Sequence, residues 1–299
     1  MKVLITGGSG FLGGEIVNKF RATSGFEVKL LGRNSNSDYQ YDLRECNAKI
    51  TEKFDIVVHV AGKAHSIPKS EKDKQAFYDV NVKGTIRLLE LLENTPPKSI
   101  VFISTVAVYG RLSGANLTED TPLNAKDAYG KSKIMAEKYL RDWCTERNIQ
   151  CVIFRLPLVI GRDAPGNLRS MVQAIRKGYY FNIEGGVARK SMVMASDVAR
   201  AVVQAIGKNG TFHLTDGCHP SFFELSHLIA KHVGRKRVLN LPIGLAKFVA
   251  RFGDALADKA PLNTLKLSKI TSELTFDDTK ARVELKWAPL PVLDVFKVS

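Results

Sequence analysis

Cysteine is scarce. The 299 residues hold four, Cys46, Cys144, Cys151 and Cys218, with no Cys-x-x-Cys pair and no His at ligand spacing. That excludes a disulfide-stapled fold and argues against a zinc site, so reduced thiols in a cytoplasmic protein, with no metal, are expected. Long hydrophobic runs are also missing: nothing approaches the ~20 apolar residues that cross a bilayer. Met1-Lys2 leads directly into Val3-Leu4-Ile5 before glycines interrupt the run, and neither a secretory leader nor stable membrane insertion is expected. Acidic residues are in short supply, 30 Asp and Glu against 44 Lys and Arg, for a net charge of +14. Such a balance favours anionic partners. The basic residues are nevertheless dispersed, with no aromatic-interleaved stripe, so nucleic acid is not expected among them.

What remains is the composition of an ordinary globular protein, 44% hydrophobic and 25% charged. Short β-branched runs alternate with helical patterns: KVLIT, FLGGEIVNKF, EVKLL, FDIVVHVA, the segment Gly84 to Glu93, then SIVFIST. This alternation predicts an α/β fold, a doubly wound parallel sheet of the Rossmann type. Leu12, Ile16, Val17 and Phe20 keep helical spacing, whereas Ile56 to Val60 is apolar almost throughout, as in a strand covered on both faces. After Gly161 the texture changes. Residues 1–165 and about 190–215 are expected to form the dinucleotide-binding domain; about 166–189 and 216–299 are expected to form a smaller, discontinuous substrate part. The basic amphipathic stretch Leu241 to Leu256 (LPIGLAKFVARFGDAL) could sit on a membrane surface, but packing on its own protein is the expectation.

Thr6-Gly-Gly-Ser-Gly-Phe-Leu-Gly13 places Gly7, Gly10 and Gly13 directly after the first predicted strand and across a helix start. Gly7 suits a tight turn, Gly10 a close approach to a pyrophosphate and Gly13 close helix-to-strand packing, with free helix N–H groups facing the anion. Further along, Tyr129 and Lys133 are four residues apart, on one face if helical. A free phenol titrates near 10, so a neighbouring ammonium would help it act as an acid/base near neutral pH.

These segments together resemble the extended branch of the short-chain dehydrogenase/reductase superfamily, over nearly the whole chain. The resemblance rests on the Gly-x-x-Gly-x-x-Gly turn, Tyr41-Asp-Leu-Arg44, His59-Val-Ala-Gly62, Asn81-Val-x-Gly-Thr85, Ser104-Thr-Val-Ala-Val-Tyr-Gly110 and Tyr129-Gly-Lys-Ser-Lys133. It implies a catalytic set of Thr105, Tyr129 and Lys133. Ser104 competes with Thr105, but counting back four from Tyr109 selects Thr105. It implies that Gly7, Gly10, Phe11, Leu12, Gly13, Arg33, Asp42, Leu43, Val60, Ala61, Gly62, Tyr129, Lys133 and Pro157 hold the cofactor. Thr105, Tyr129, Asn167 and Leu168 would meet the substrate, and Arg189 and Lys190 compete for one phosphate-binding role. His65 is left outside the catalytic set.

Where an NAD enzyme usually carries an acid at the end of the second strand, this chain has Gly32 followed by Arg33. NADP(H) is therefore expected over NAD(H), although Asp38 leaves NAD(H) open. The resemblance implies redox chemistry on a nucleotide-activated sugar, UDP-linked. The leading expectation is reduction of a UDP-4-keto-6-deoxy-hexose at C4; a UDP-sugar 4-epimerase is the alternative and a non-catalytic dinucleotide sensor a distant third. Val106 and Ala107 stand where relatives that eliminate water carry Asp and Glu, which argues against a dehydratase. The resemblance also leaves open a homodimer through the helices around Gly84 to Glu93 and Asp127 to Arg147.

Overall fold

The computed structural model describes residues 1–45, 50–64, 68–255 and 262–298; Cys46 and His65 lie outside the described residues. Seven strands build the main sheet: β1 (Lys2–Thr6), β2 (Glu27–Gly32), β3 (Tyr39–Gln40), β4 (Ile56–His59), β5 (Ser99–Thr105), β6 (Gln150–Leu156) and β7 (Gly210–His213). All pairings are parallel, in the order β7-β6-β5-β4-β1-β2-β3. The chain runs outward through β2 and β3, then returns to start again on the other side of β1. That reversal opens a crevice beyond the carboxyl ends of β1 and β4, where Thr6 pairs with His59.

Alternation within each strand feeds two cores. Val3, Ile5, Ile56, Val58, Val101 and Ile103 pack with Ile16, Val17 and Phe20 on one face. Leu4, Val57, Ile100 and Phe102 pack with Leu88, Ala136 and Leu140 on the other. The first face is covered by α1 (Phe11–Arg21) and a later helix, Ala195–Gln204. Over the second face, α2 (Glu71–Tyr78) runs through a π-turn at Asp79–Lys83 into α3 (Gly84–Leu91), beside α4 (Ala128–Glu146). The two helices expected around Gly84 and Asp127 are both present, the first prolonged on its N-terminal side.

The smaller lobe holds α5 (Asn167–Lys177) and, beyond the Ala195–Gln204 helix (α6), α7 (Phe222–His232), which share the apolar contacts of Leu168, Met171, Ile175, Leu225 and Ile229. A capping box between Ser221 and Glu224 starts α7. Next come α8 (Ile243–Ala255) and α9 (Thr264–Thr271), joined through Ala246, Ala250 and Leu267. The chain's last part does not all stay in this lobe. Ala281, Leu285 and Trp287 return to the core of the main sheet, and the Trp287 indole donates to Thr215 O at 3.0 Å. A large ring needing both burial and a hydrogen-bond acceptor finds them there. Among the described residues, no helix is long and apolar enough to cross a membrane.

Candidate functional site

The glycine turn is shaped by contact. Gly7 has φ +70°, and a Cβ there would lie 2.6 Å from Ala61 N, so only glycine fits. A Cβ on Gly13 would lie 2.0 Å from Gly7 O. Gly13 thus lets α1 meet the turn itself, rather than the strand as expected from sequence. At Gly10 a Cβ would meet only Gly7 O, at 3.3 Å, which leaves the space ahead of α1 open. No side chain caps α1 and its first turn holds no acid, so its N–H groups suit a diphosphate. The ring of Phe11 closes on Gly161, and Leu12 packs on the core.

Beside this turn, hydrogen bonds fix the protonation of His59. Thr85 Oγ1 donates to Asn81 O at 2.7 Å, so it must accept from His59 Nε2 at 3.0 Å. His59 Nδ1 then accepts from Thr6 Oγ1 at 2.7 Å, and Thr6 accepts from Ala61 N at 3.1 Å. Burial, then the Lys133 charge, pushes His59 down to about 3, so the ring is neutral. This chain ties β4 to β1 and sets the segment Val60-Ala61-Gly62 across the crevice. Asn81 holds the next residue: its amide accepts from Lys63 N at 2.7 Å and donates to Lys63 O at 3.1 Å and to Ser132 Oγ at 2.9 Å.

Thr105 ends β5 and Tyr129 begins α4. They meet because Gly130 packs on the 3-10 turn Val106–Tyr109: a Cβ on Gly130 would lie 2.9 Å from Ala107 O. Asp127 caps α4 by accepting from Gly130 N at 3.0 Å. Thr105 Oγ1 accepts from Ala107 N at 3.2 Å. Burial raises the pKa of the Tyr129 phenol, the nearby Thr105 hydroxyl opposes that rise and the Asp127 charge adds to it. One turn along, Lys133 is buried, and its Nζ donates to Ile103 O at 2.9 Å and lies 4.6 Å from the Phe102 ring centre. Burial pushes this ammonium down to about 8, against the pull of Glu137. A Cβ on Gly62 would lie 3.2 Å from Lys133 Nζ, so Gly62 leaves that ammonium facing the crevice.

Behind this group lies a network that sequence reasoning missed. Arg155 lies in β6, next to its end, and is buried. Its Nη2 lies 2.8 Å from Glu137 Oε2, and its Nη1 donates to Tyr109 OH and to Glu119 O, both at 3.0 Å. Tyr109 therefore donates to His213 Nε2 at 2.6 Å, leaving His213 Nδ1 to donate to Asp277 O at 3.0 Å. Ser104 Oγ donates to the same Glu137. The signal was there in part: Glu137 is four residues from Lys133 on a buried helix face.

At the rim, Arg33 is exposed, and its guanidinium has no hydrogen bond or ion pair among the described residues. Asp38 does not fold back to the crevice: its carboxylate accepts from Leu30 N at 2.8 Å and faces Lys29 Nζ at 3.4 Å. Asp42 is held by Arg44, Nη2 to Oδ2 at 2.6 Å, which keeps its carboxyl below the usual range. Leu43 packs on the second core, and Pro157 follows β6, half-buried. In the smaller lobe, α5 starts after Gly166 with no side-chain cap and no acid in its first turn. Asn167 is exposed and Leu168 is buried, so Leu168 offers its backbone rather than its side chain. Arg189 is committed at the surface, donating to His219 O at 3.1 Å, 3.7 Å from Glu224. Lys190 is half-buried and pushed down to about 8 by burial. No group of three metal-ligating side chains occurs among the described residues.

A parallel sheet with this crevice, a glycine turn at a helix N-terminus, and Thr105, Tyr129 and Lys133 beside it define an extended short-chain dehydrogenase/reductase. The chain belongs to the NAD dependent epimerase/dehydratase family, whose model matches residues 3–213. It is 31% identical over 211 residues to the N-acetyl-alpha-D-glucosaminyl-diphospho-ditrans,octacis-undecaprenol 4-epimerase of Escherichia coli O157:H7, a match covering 67% of this chain but only 61% of that protein. It is 28% identical to the UDP-glucose 4-epimerase of Lactobacillus helveticus, over 97% of this chain and 92% of that one. Among solved structures, the UDP-glucuronic acid 4-epimerase of Bacillus cereus in complex with NAD superposes with a TM-score of 0.78 at 19% identity, covering 98% of this chain and 93% of that one.

Proposed function

We propose that the protein reduces a UDP-linked 4-keto-6-deoxy-hexose at C4, with NADPH preferred over NADH. The observation that carries this reading is the end of β2. Arg33 makes no hydrogen bond or ion pair among the described residues, though its charge acts on Asp42, while Asp38, the acid available for ribose hydroxyls, is tied to Leu30 and Lys29. A cation there suits a 2′-phosphate, and the phosphorylated cofactor suits a biosynthetic reduction.

The reduced nicotinamide, when bound, supplies the hydride. Tyr129, whose burial favours the neutral phenol, hands its proton to the oxygen developing on C4. Thr105 orients that oxygen, and the Lys133 ammonium anchors the cofactor ribose and steadies the phenolate left on Tyr129. The open N-terminus of α5, with Asn167 and the Leu168 N–H, takes the sugar diphosphate, assisted by Lys190 rather than the committed Arg189. With Val106 and Ala107 in place of carboxylates, the chain depends on a separate dehydratase for its keto sugar.

The names of the relatives favour a second reading, a 4-epimerase that uses the same groups in both directions with no net consumption of cofactor. There Tyr129 would take the proton from the C4 hydroxyl in the first half of the reaction and return it in the second. Two assays separate the readings: a UDP-4-keto-6-deoxy sugar with NADPH, and UDP-N-acetylglucosamine with catalytic NAD, each followed by nicotinamide absorbance and sugar NMR. Stoichiometric loss of NADPH in the first is expected. Inversion at C4 in the second, without net change in cofactor, would install the epimerase instead.

A further inference from the structure

Helix α8 is built the wrong way round for a helix serving only its own core. It faces the protein with Ala246, Ala250 and Gly253, all buried, which pack near Leu267 of α9 and Ile183. Its large apolar side chains point outward: Leu245 is 51% exposed, Phe248 60%, Val249 41% and Phe252 64%. Steps of three and four put these four on one face. Phe248 and Phe252 cover each other edge to face, 4.8 Å between ring centres, and Leu265 of the adjoining α9 is also exposed. The sequence pattern predicted that this amphipathic helix would pack on its own protein. It does, through its small residues, and the face carrying the hydrophobicity is left over.

The sequence leading into and along that helix is mostly basic; its one acid, Asp254, is engaged by Thr264 at the start of α9. From Leu225 to Gly253 the chain holds no Asp or Glu, yet it carries Lys231, Arg235, Lys236, Arg237, Lys247 and Arg251. Lys247 and Arg251 are exposed on the remaining flank of α8, with stems long enough to carry their charges to the level of the apolar strip. We propose that the outer face of α8 docks this protein on an anionic bilayer surface. The phenylalanines and leucine enter the boundary between headgroups and acyl chains, and the basic residues meet the lipid phosphates. The helix lies along the interface and crosses nothing. A second copy of the chain is a poorer occupant, because a two-fold contact would set two such basic segments against each other. Docking would hold the substrate lobe, of which α8 is part, against the membrane.

The test uses the full chain and sedimentation with vesicles of phosphatidylglycerol and phosphatidylcholine in equal parts, against pure phosphatidylcholine. The chain should pellet with the anionic vesicles, remain in solution with the neutral ones, and be released as salt is raised. Phe248→Ser with Phe252→Ser, and separately Lys247→Glu with Arg251→Glu, should each weaken partitioning at least about tenfold. The melting temperature should hold, since all four side chains are exposed. The proposal is overturned if the parent chain stays in solution with both vesicles, or if the serine pair leaves binding unchanged. It is also overturned if sedimentation velocity shows a parent dimer that the serine pair converts to monomer, which would assign the face to a second copy.

Discussion

The hydroxyl of Ser104 donates to the buried carboxylate of Glu137, while that of its neighbour Thr105 accepts from Ala107 N at 3.2 Å and sits near enough to Tyr129 to oppose the rise in the phenol's pKa. Two adjacent hydroxyls, indistinguishable in composition, are thereby sent to different tasks. Thr105→Ala should lower kcat/KM by about 10²-fold, the scale of losing one positioned hydrogen bond to a reacting oxygen. Ser104→Ala should leave kcat/KM within a few-fold and lower stability by about 1 kcal/mol. Equal losses of turnover would return Ser104 to the site.

Tyr129→Phe keeps the ring, which packs 5.9 Å from that of Phe77, and removes only the proton. Turnover should fall by about 10²–10⁴-fold with the dissociation constant for NADPH nearly unchanged. Fluorescence titration of NADPH beside steady-state rates reads both. Activity within a few-fold of the parent would take Tyr129 out of the mechanism.

Lys133 is held at a cost to the fold. Burial pushes it from 10.5 to about 8. Below that pH both folded and unfolded chains carry the proton, and the folded chain bears the full desolvation penalty. Between about 8 and 10.5 the unfolded chain binds more protons, so this residue makes stability rise with pH in that window. The full span corresponds to about 3 kcal/mol. Lys133→Met should therefore raise the Tm of the cofactor-free chain at neutral pH while weakening NADPH binding. A lower Tm would show that the Ile103 hydrogen bond outweighs the desolvation.

The sheet, the glycine turn and the α4 pair were legible because each rests on local pattern: strand alternation, a motif in its strand-turn-helix setting, and four-residue spacing. What was not legible depends on chain segments far apart in sequence. Nothing local in the sequence pairs Glu137 with Arg155; only the packing of α4 on β5 and β6 buries them together. The return of Trp287 to the main core is of the same kind. For α8 the periodicity was read correctly, but a hydrophobic pattern does not say which side of a helix faces inward when alanine and glycine can line the contact.

Arg189 and Lys190 were equal candidates in sequence and differ in surroundings. Arg189 lies at the surface with His219 O and Glu224, whereas Lys190 is half-buried with no hydrogen bond from its ammonium among the described residues. Lys190→Ala should raise KM for the sugar nucleotide about tenfold or more with a smaller effect on kcat, the signature of lost binding. Arg189→Ala should leave KM within about twofold, as expected of an exposed ion pair. Because burial brings Lys190 down to about 8, KM should also climb as pH rises through that value and the ammonium loses its charge.

Cofactor choice turns on Arg33. Its guanidinium has no hydrogen bond or ion pair to give up, and the acid in the loop after β2, Asp38, already accepts from Leu30 N and faces Lys29. A charge-assisted hydrogen bond to a 2′-phosphate is worth about 1.5–3 kcal/mol, so Arg33→Ser should weaken NADPH binding about ten- to hundredfold and leave NADH nearly where it was. Releasing Asp38 alone should not convert the chain to NAD, since its carboxylate holds the backbone of β2 and Asp38→Asn would disturb the strand first. Gly32→Asp is the more direct conversion: it adds a carboxylate where the ribose hydroxyls come, although a Cβ there lies 3.1 Å from Ser37 Oγ and the serine must turn aside. Titrating both cofactors against the parent chain, Arg33→Ser and Gly32→Asp with Arg33→Ser should show preference passing from NADPH to NADH across the series. A parent chain that already binds NADH more tightly would remove the argument for a reductase that rests on this residue.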